Sequence, residues 1–202
     1  MSLTNHIETI TEDFELSLLG IQNVFSRKTD FGQHLLIGNH GTFGRTLFLD
    51  GKLMTCEFDE HIYHEVMVHI PMQSLLNPRR VLVIGGGDLG ILKELAKYPE
   101  LTEIIVCEID KEVVDISKEY LFAIHEDAYK DPRIEFVYAD GYEYARTCSK
   151  MFDLIIMDLP DPDGNCSKLY TKEAFDLLKR SIRGHGIVAC HAGSPYMHVD
   201  RV

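Results

Sequence analysis

Tryptophan is absent from the 202 residues, and basic side chains are scarce. Twenty lysines and arginines stand against 32 acids, a formal charge of −12. Nucleic-acid binders present basic faces, so this balance argues against one. It is compatible with a cationic ligand, although acidity alone is common among soluble proteins. Cysteines number five: Cys56, Cys107, Cys148, Cys166 and Cys190. No two form a C-x-x-C pair and the count is odd, which excludes a zinc ribbon and argues against a disulfide framework. Cys107 and Cys190 lie inside apolar runs and are expected reduced and buried. Cys166 lies in a polar loop and is not expected to be a nucleophile. No apolar run approaches the ~18 residues of a membrane span. The opening MSLTNHIETITEDFEL carries acids where a signal peptide has bases and an apolar stretch. A cytoplasmic protein without membrane contact is expected. Hydrophobic residues make up 45% of the chain, which excludes wholesale disorder.

The pattern changes along the chain. Residues 1–58 suggest strands and turns: HLLIG at 34–38, a glycine cluster at 38–44, and TLFLDGKLM at 46–54. Asp50-Gly51 between two apolar runs is a strong hairpin signal. A small antiparallel β-domain over 1–58 is expected. In 59–75 the period becomes helical, with Ile62, Val66 and Ile70 on one stripe and Tyr63 and Met67 beside it. Asp59 is a candidate cap, and Pro71 is expected to end or kink the helix. Strands and helices then alternate: strands at 81–85, 104–110, 134–140, 152–161 and 187–192, helices at 91–98, 111–121, 141–148 and 171–183. Phe175, Leu178 and Ile182 share a face of the last helix, which Gly184 and Gly186 are expected to stop. Strands apolar throughout, alternating with helices, predict an α/β domain over 59–202. Its core would be a parallel, Rossmann-like sheet with helices on both faces.

The chemistry-bearing residues gather at predicted strand ends. Gly85-Gly86-Gly87-Asp88-Leu89-Gly90 fits G-x-G-x-x-G between a strand and a helix, where glycines admit a nucleotide to the backbone. The same pattern also serves a tight turn without ligand. Glu108 closes the second strand, where a carboxylate can accept both ribose hydroxyls of an adenosine. Asp140 closes the third; it can meet an adenine edge, cap the next helix, or both. Asp158 and Asp161 flank Leu159-Pro160 at the end of the fourth. With Asp88, they bring three carboxylates to one crevice. Like charges raise one another's pKa values, so such a cluster calls for a cation, either a metal or a basic ligand. The loops offer few bases for an anionic phosphate partner, and HIYHE at 61–65 matches no zinc motif. No metal is expected.

These residues resemble the spermidine synthases, the polyamine aminopropyltransferases. The likeness runs from about Gln33 to Tyr196, through GQHLLI, TFGRTLFLDGKLM, DEHIYHE, NPRRVLVIGGGDLGILKEL, CEIDKEVVDISKEYL, DPRIEFVYADG and FDLIIMDLPDP. The resemblance implies a β-domain followed by a Rossmann-like catalytic domain, assembled as a homodimer or homotetramer. It implies transfer of an aminopropyl group from decarboxylated S-adenosylmethionine, a co-substrate, to putrescine, with no cofactor. It further implies that Gln33 and Glu108 hold the nucleoside above Gly85 and Gly87, and that Asp140 and Gly141 hold the adenine. Tyr63, His64, Asp88 and Asp161 would bind the amines, and Asp158 would be the catalytic proton acceptor.

The chain departs from the family pattern in several places. Leu89 replaces a glycine and is expected to narrow the donor pocket. DLPDP lacks two hydroxyls usual before its second acid. Asn165 stands at a donor-binding position where the family has proline, and His191 where glutamine is common. Family members continue for several elements beyond the point corresponding to Val202, so the last strands and helices are expected to be missing here. Two other readings remain: an adenosyl-ligand-binding relative without turnover, and an S-adenosylmethionine-dependent methyltransferase. Against the latter, Asp88 is badly placed for a methionine carboxylate.

Overall fold

The computed structural model describes residues 3–11, 14–162 and 164–191, with the side chains of 9–16, 164 and 165 excepted. Five antiparallel strands come first: β1 (Leu3–Thr11), β2 (Phe14–Lys28), β3 (His34–His40), β4 (Gly44–Leu49) and β5 (Lys52–Cys56). Each pairs with the next in chain order. The turn between β4 and β5 has positive φ at both Asp50 (50°) and Gly51 (82°), as a two-residue hairpin that matches the strand twist requires. The long β1–β2 hairpin was not distinguished in the sequence.

Helix α1 (Glu60–Ser74) leads into a second sheet of five parallel strands: β6 (Arg80–Gly85), β7 (Glu103–Glu108), β8 (Ile134–Tyr138), β9 (Phe152–Asp158) and β10 (Ile182–Cys190). Between them lie α2 (Gly90–Ala96), α3 (Lys111–Tyr120), α4 (Phe122–His125), α5 (Gly141–Thr147) and α6 (Lys172–Arg180). The spatial order is β10-β9-β6-β7-β8. The chain therefore builds outward from β6 to β8, then returns to the other side of β6.

Period-two alternation within the apolar strands separates two cores. Val81, Val83, Ile104, Val106, Leu154 and Ile156 face α1, α2 and α3. Leu82, Ile84, Ile105, Cys107, Ile155 and Met157 face α5 and α6. The N-terminal sheet joins this body through Leu35, Ile37 and Leu47, packed on Val113, Leu121 and Ile124. A buried hydrogen bond of 2.6 Å from Thr29 Oγ1 to Asp110 Oδ2 fixes the same junction.

Several sequence expectations are corrected. Ile62, Val66 and Ile70 are 62%, 51% and 63% exposed; α1 instead buries His64, Met67, Val68, Pro71 and Met72. Pro71 does not end α1, which continues to Ser74. Asp59 precedes α1 without a side-chain capping bond and accepts instead from Cys56 Sγ. Helix α6 stops at Arg180, and Ile182 is already the first residue of β10, paired with Phe152. Gly184 (φ 51°) lies within β10, where the register shifts before Ile187. Phe175 is exposed, and Ala174 and Leu178 form the buried face of α6. Cys190 is only half-buried.

Candidate active site

The turn of the sheet's winding lies between β6 and β9, where Gly85 pairs with Asp158. Helices leave the two strands in opposite senses there, which opens a crevice beyond the strand ends. Gly85 and Gly86 have φ of 84° and 79°, conformations that L side chains resist. Gly86 N–H donates to Asp158 carbonyl at 3.1 Å. A Cβ on Gly85 would overlap that carbonyl, and one on Gly87 would stand 3.2 Å from Glu108 Oε2. The glycines thus let the turn lie flat between the two strand ends.

A cavity of about 580 Å³ fills the crevice. Its floor comes from the parallel sheet: Gly85, Gly87, Asp88, Glu108, Asp140, Gly141, Asp158 and Asp161. Its roof comes from the N-terminal sheet, including Gln33, Leu49, Leu53 and Met54. Tyr63 of α1 closes one side. Gln33 is held by its backbone, whose N–H donates to Thr29 Oγ1 at 3.1 Å and whose carbonyl accepts from Thr29 N–H at 2.8 Å. Eleven of the twelve residues named as candidates from the sequence are described with side chains or as glycine. Ten of them line this one cavity.

His64 is the exception. It is 1% exposed and sits behind Asp88, with Nε2 at 3.3 Å from Asp88 Oδ2 and Nδ1 at 2.7 Å from Glu60 Oε2. The twelfth candidate, Asn165, belongs to the 3-10 helix Gly164–Tyr170, and its side chain lies outside the described residues. Leu89 does not narrow the cavity. It is 0% exposed and packs in the core beneath α2, at φ 71°. Asp161 lies within 3.6 Å of His191 Nε2.

The carboxylates are held in different states. Burial opposes ionisation of Asp88, but the His64 imidazolium and Gly90 N–H, at 3.0 Å from Oδ1, outweigh it and hold the carboxyl below its usual range. Burial, then the charge of Asp88, pushes Asp158 up to about 6. Tyr63 donates its hydroxyl proton to Asp158 Oδ1 at 2.8 Å. Burial raises Glu108 to about 7, although its Oε1 accepts from Asp110 N–H at 3.0 Å. Burial works against protonation of His64, yet Asp88, Glu60 and Asp158 raise it to about 10. Asp140 does cap a helix, accepting from Tyr142 N–H at 2.7 Å and Glu143 N–H at 3.3 Å. Side-chain atoms of His64, Asp88 and Asp158 lie within 4.8 Å of one another, so the imidazolium is itself the cation that offsets the two carboxylates.

The sequence reading missed Glu60 and Lys93, whose Nζ stands 2.5 Å from Glu60 Oε1. The i,i+4 spacing of Glu60 and His64 on a helix was the available signal. It also missed the roof residues Leu49, Leu53 and Met54, since nothing local in β4 and β5 shows which sheet lies opposite.

Fold and cavity together define an α/β protein of the Rossmann-like type, with an antiparallel sheet roofing the ligand crevice. Comparison with known proteins narrows this. The model of the spermine/spermidine synthase domain matches residues 60–202. A polyamine aminopropyltransferase of Nitrosomonas europaea is 35% identical over 189 residues, covering 94% of this chain and 58% of the relative. One from Pseudomonas aeruginosa is 36% identical over 200 residues, covering 99% and 70%. A crystal structure of a spermidine synthase in complex with the transition-state analogue AdoDATO superposes with a TM-score of 0.91 at 33% identity, covering 97% of this chain and 67% of that one. The chain belongs to the spermine/spermidine synthase family. It spans little more than half the length of several of the curated relatives it matches.

Proposed function

We propose that this chain carries the active site of a polyamine aminopropyltransferase. In this reading residues 1–58 form the roofing β-domain and 59–202 the catalytic domain. The reaction moves the aminopropyl group of decarboxylated S-adenosylmethionine to putrescine and yields spermidine and methylthioadenosine. The observation that carries the proposal is the pair of carboxylates at the switch point, Asp88 held ionised and Asp158 raised to about 6. Two cationic substrates suit a cavity walled by acids, and one carboxylate of intermediate basicity suits a proton transfer near neutral pH.

Each wall has a role in this reading. Glu108 accepts the ribose hydroxyls, and Gln33 closes over the nucleoside from the roof. Asp140 and Gly141 meet the adenine, while Gly85 and Gly87 keep the floor low. Asp88 grips the ammonium of the aminopropyl group. It attracts that cation and repels the carboxylate of S-adenosylmethionine, which selects the decarboxylated donor. Tyr63 and Asp161 receive the diamine. His64 supports the amine site from behind Asp88.

The chemistry follows from the donor's charge. A sulfonium makes its neighbouring methylene carbon electrophilic without a Lewis acid. The putrescine nitrogen attacks that carbon; the carbon–nitrogen bond forms as the carbon–sulfur bond breaks, and the electron pair passes to sulfur. Alkyl amines have a pKa of about 10, so the nitrogen must shed a proton. Asp158 accepts it, with Tyr63 steadying the carboxylate. Alignment of nitrogen, carbon and sulfur supplies much of the remaining acceleration.

The test is turnover by the purified chain with decarboxylated S-adenosylmethionine and a panel of diamines, read as methylthioadenosine release. Release with putrescine, and none when S-adenosylmethionine is the donor, is the expected result. Methyl transfer from S-adenosylmethionine would overturn the proposal. Methylthioadenosine binding without any release would make the chain a binding relative.

A further inference from the structure

Helix α1 contributes a carboxylate that the reaction above does not use. Glu60 opens α1 and is 7% exposed. Its two oxygens are divided between two cations. Oε2 is 2.7 Å from His64 Nδ1, one helical turn on, and Oε1 is 2.5 Å from Lys93 Nζ on α2. His64 in turn reaches Asp88 through Nε2 at 3.3 Å. A continuous row of alternating charge therefore runs from Lys93 through Glu60 and His64 to Asp88, at the cavity wall. Gly90 makes room for it, because a Cβ there would overlap the His64 ring.

A buried carboxylate persists only where charge and hydrogen bonds compensate its lost hydration. Glu60 meets that condition twice over, from both of its oxygens. An imidazole with a carboxylate on each nitrogen has both nitrogens as donors, so it is held in the cationic form and in one orientation. Without Glu60, the ring could turn about its own axis and present either nitrogen to Asp88.

We infer that Glu60 is a positioning residue: it orients and charges His64, which then holds the Asp88 carboxylate facing the bound amine. This inference rests on the proposed function for its consequence, but not for its test. The charged and titratable groups around His64 come from every neighbouring element. Glu60, Tyr63 and Asp59 belong to α1 and its start, Asp88 to the turn after β6, and Asp158 to the end of β9. Cys190 and His191 stand at the end of β10, with His64 along the same groove. Lys93 of α2 acts through Glu60, and Glu126 lies 4.0 Å beyond Lys93. The high basicity of His64 agrees with this surround.

The decisive experiment follows the His64 ring nitrogens by NMR during a pH titration of the resting protein, without substrate. Wild-type His64 is expected to stay protonated past pH 9, with its Nδ1–H resonance shifted downfield and protected from exchange. Glu60→Gln should lower its titration midpoint by about one pH unit or more, since a hydrogen bond between charged partners contributes on that scale. Lys93→Met should move the midpoint the other way, because it removes a nearby positive charge. Opposite shifts from the two variants exclude a merely structural disturbance. An unchanged midpoint in folded Glu60→Gln, or shifts of the same sign in both variants, would overturn the inference. If Glu60→Gln does not fold, the wild-type spectrum decides: an unprotected Nδ1–H without a downfield shift overturns it. The expected spectra together with no aminopropyl transfer would defeat the proposed function and leave the role of Glu60 standing.

Discussion

Tyr63 and Asp158 meet across the cavity wall, the phenol donating to the carboxylate at 2.8 Å from a different element of the fold. Burial, together with the charges of Asp158 and Asp88, pushes the Tyr63 phenol far above its usual range, so the phenol remains a donor throughout the physiological range. One oxygen of Asp158 is thus committed to Tyr63, which orients the carboxylate toward the cavity.

Asp158→Asn removes the proposed base while keeping the shape. Turnover should fall by about 10²- to 10⁴-fold, the usual contribution of a positioned general base. Methylthioadenosine affinity, read by calorimetry, should change little. In the unsubstituted protein kcat/KM should decline on the acid side near pH 6, as Asp158 takes up its proton. Wild-type turnover in the variant would remove Asp158 from the role.

Asp161→Ala should act on the acceptor. Asp161 lines the part of the cavity proposed to receive the diamine, close to His191. Losing one charged contact to an ammonium is worth about tenfold in affinity. The KM for putrescine should therefore rise about tenfold, with methylthioadenosine binding unaltered. Equal losses in both ligands would show that Asp161 shapes the whole site instead.

Stability should depend on pH through His64. Its folded value, about 10, lies above the unfolded value of 6.5. The folded state therefore binds the proton more tightly, and this stabilisation is fully present below about pH 6.5. It is lost as pH rises through 10. The melting temperature should fall between pH 7 and pH 10, and His64→Gln should flatten that decline. A melting temperature constant across this window would contradict the buried imidazolium.

Leu89→Gly weighs two opposing effects. Releasing a non-glycine residue from φ 71° recovers about 1 kcal/mol. Emptying the fully buried site costs about 2–5 kcal/mol. A net loss of about 2 kcal/mol is expected in urea denaturation, with nucleoside affinity unchanged because Leu89 points into the core. Tighter nucleoside binding would show that the side chain does reach the cavity.

Local features were legible where the physics is local. Asp50-Gly51 marked its hairpin because only certain residues accept two successive positive φ values. The strand–helix alternation from Val81 to Leu178 marked the parallel sheet, because strands covered on both faces have no polar side. The glycine turn and the acids at Glu108, Asp140 and Asp158 marked the crevice, because strand ends in such sheets converge on one edge. Helix α1 was misjudged for the opposite reason. It carries two apolar stripes, and local pattern cannot say which one meets the sheet. Packing buried His64, Met67 and Met72 and turned Ile62, Val66 and Ile70 outward.

The amino-acid sequence by itself determined the order of the elements, the strands' apolar character and the supply of acids at their ends, all properties of near neighbours in the chain. Only the tertiary structure decided how those acids are charged. Asp88 and Asp158 are alike as residues. One lies against a buried imidazolium and the other lies beside a carboxylate, and those contacts join α1, β6 and β9. Their difference in basicity arises from distances between segments far apart in sequence, which no local pattern encodes.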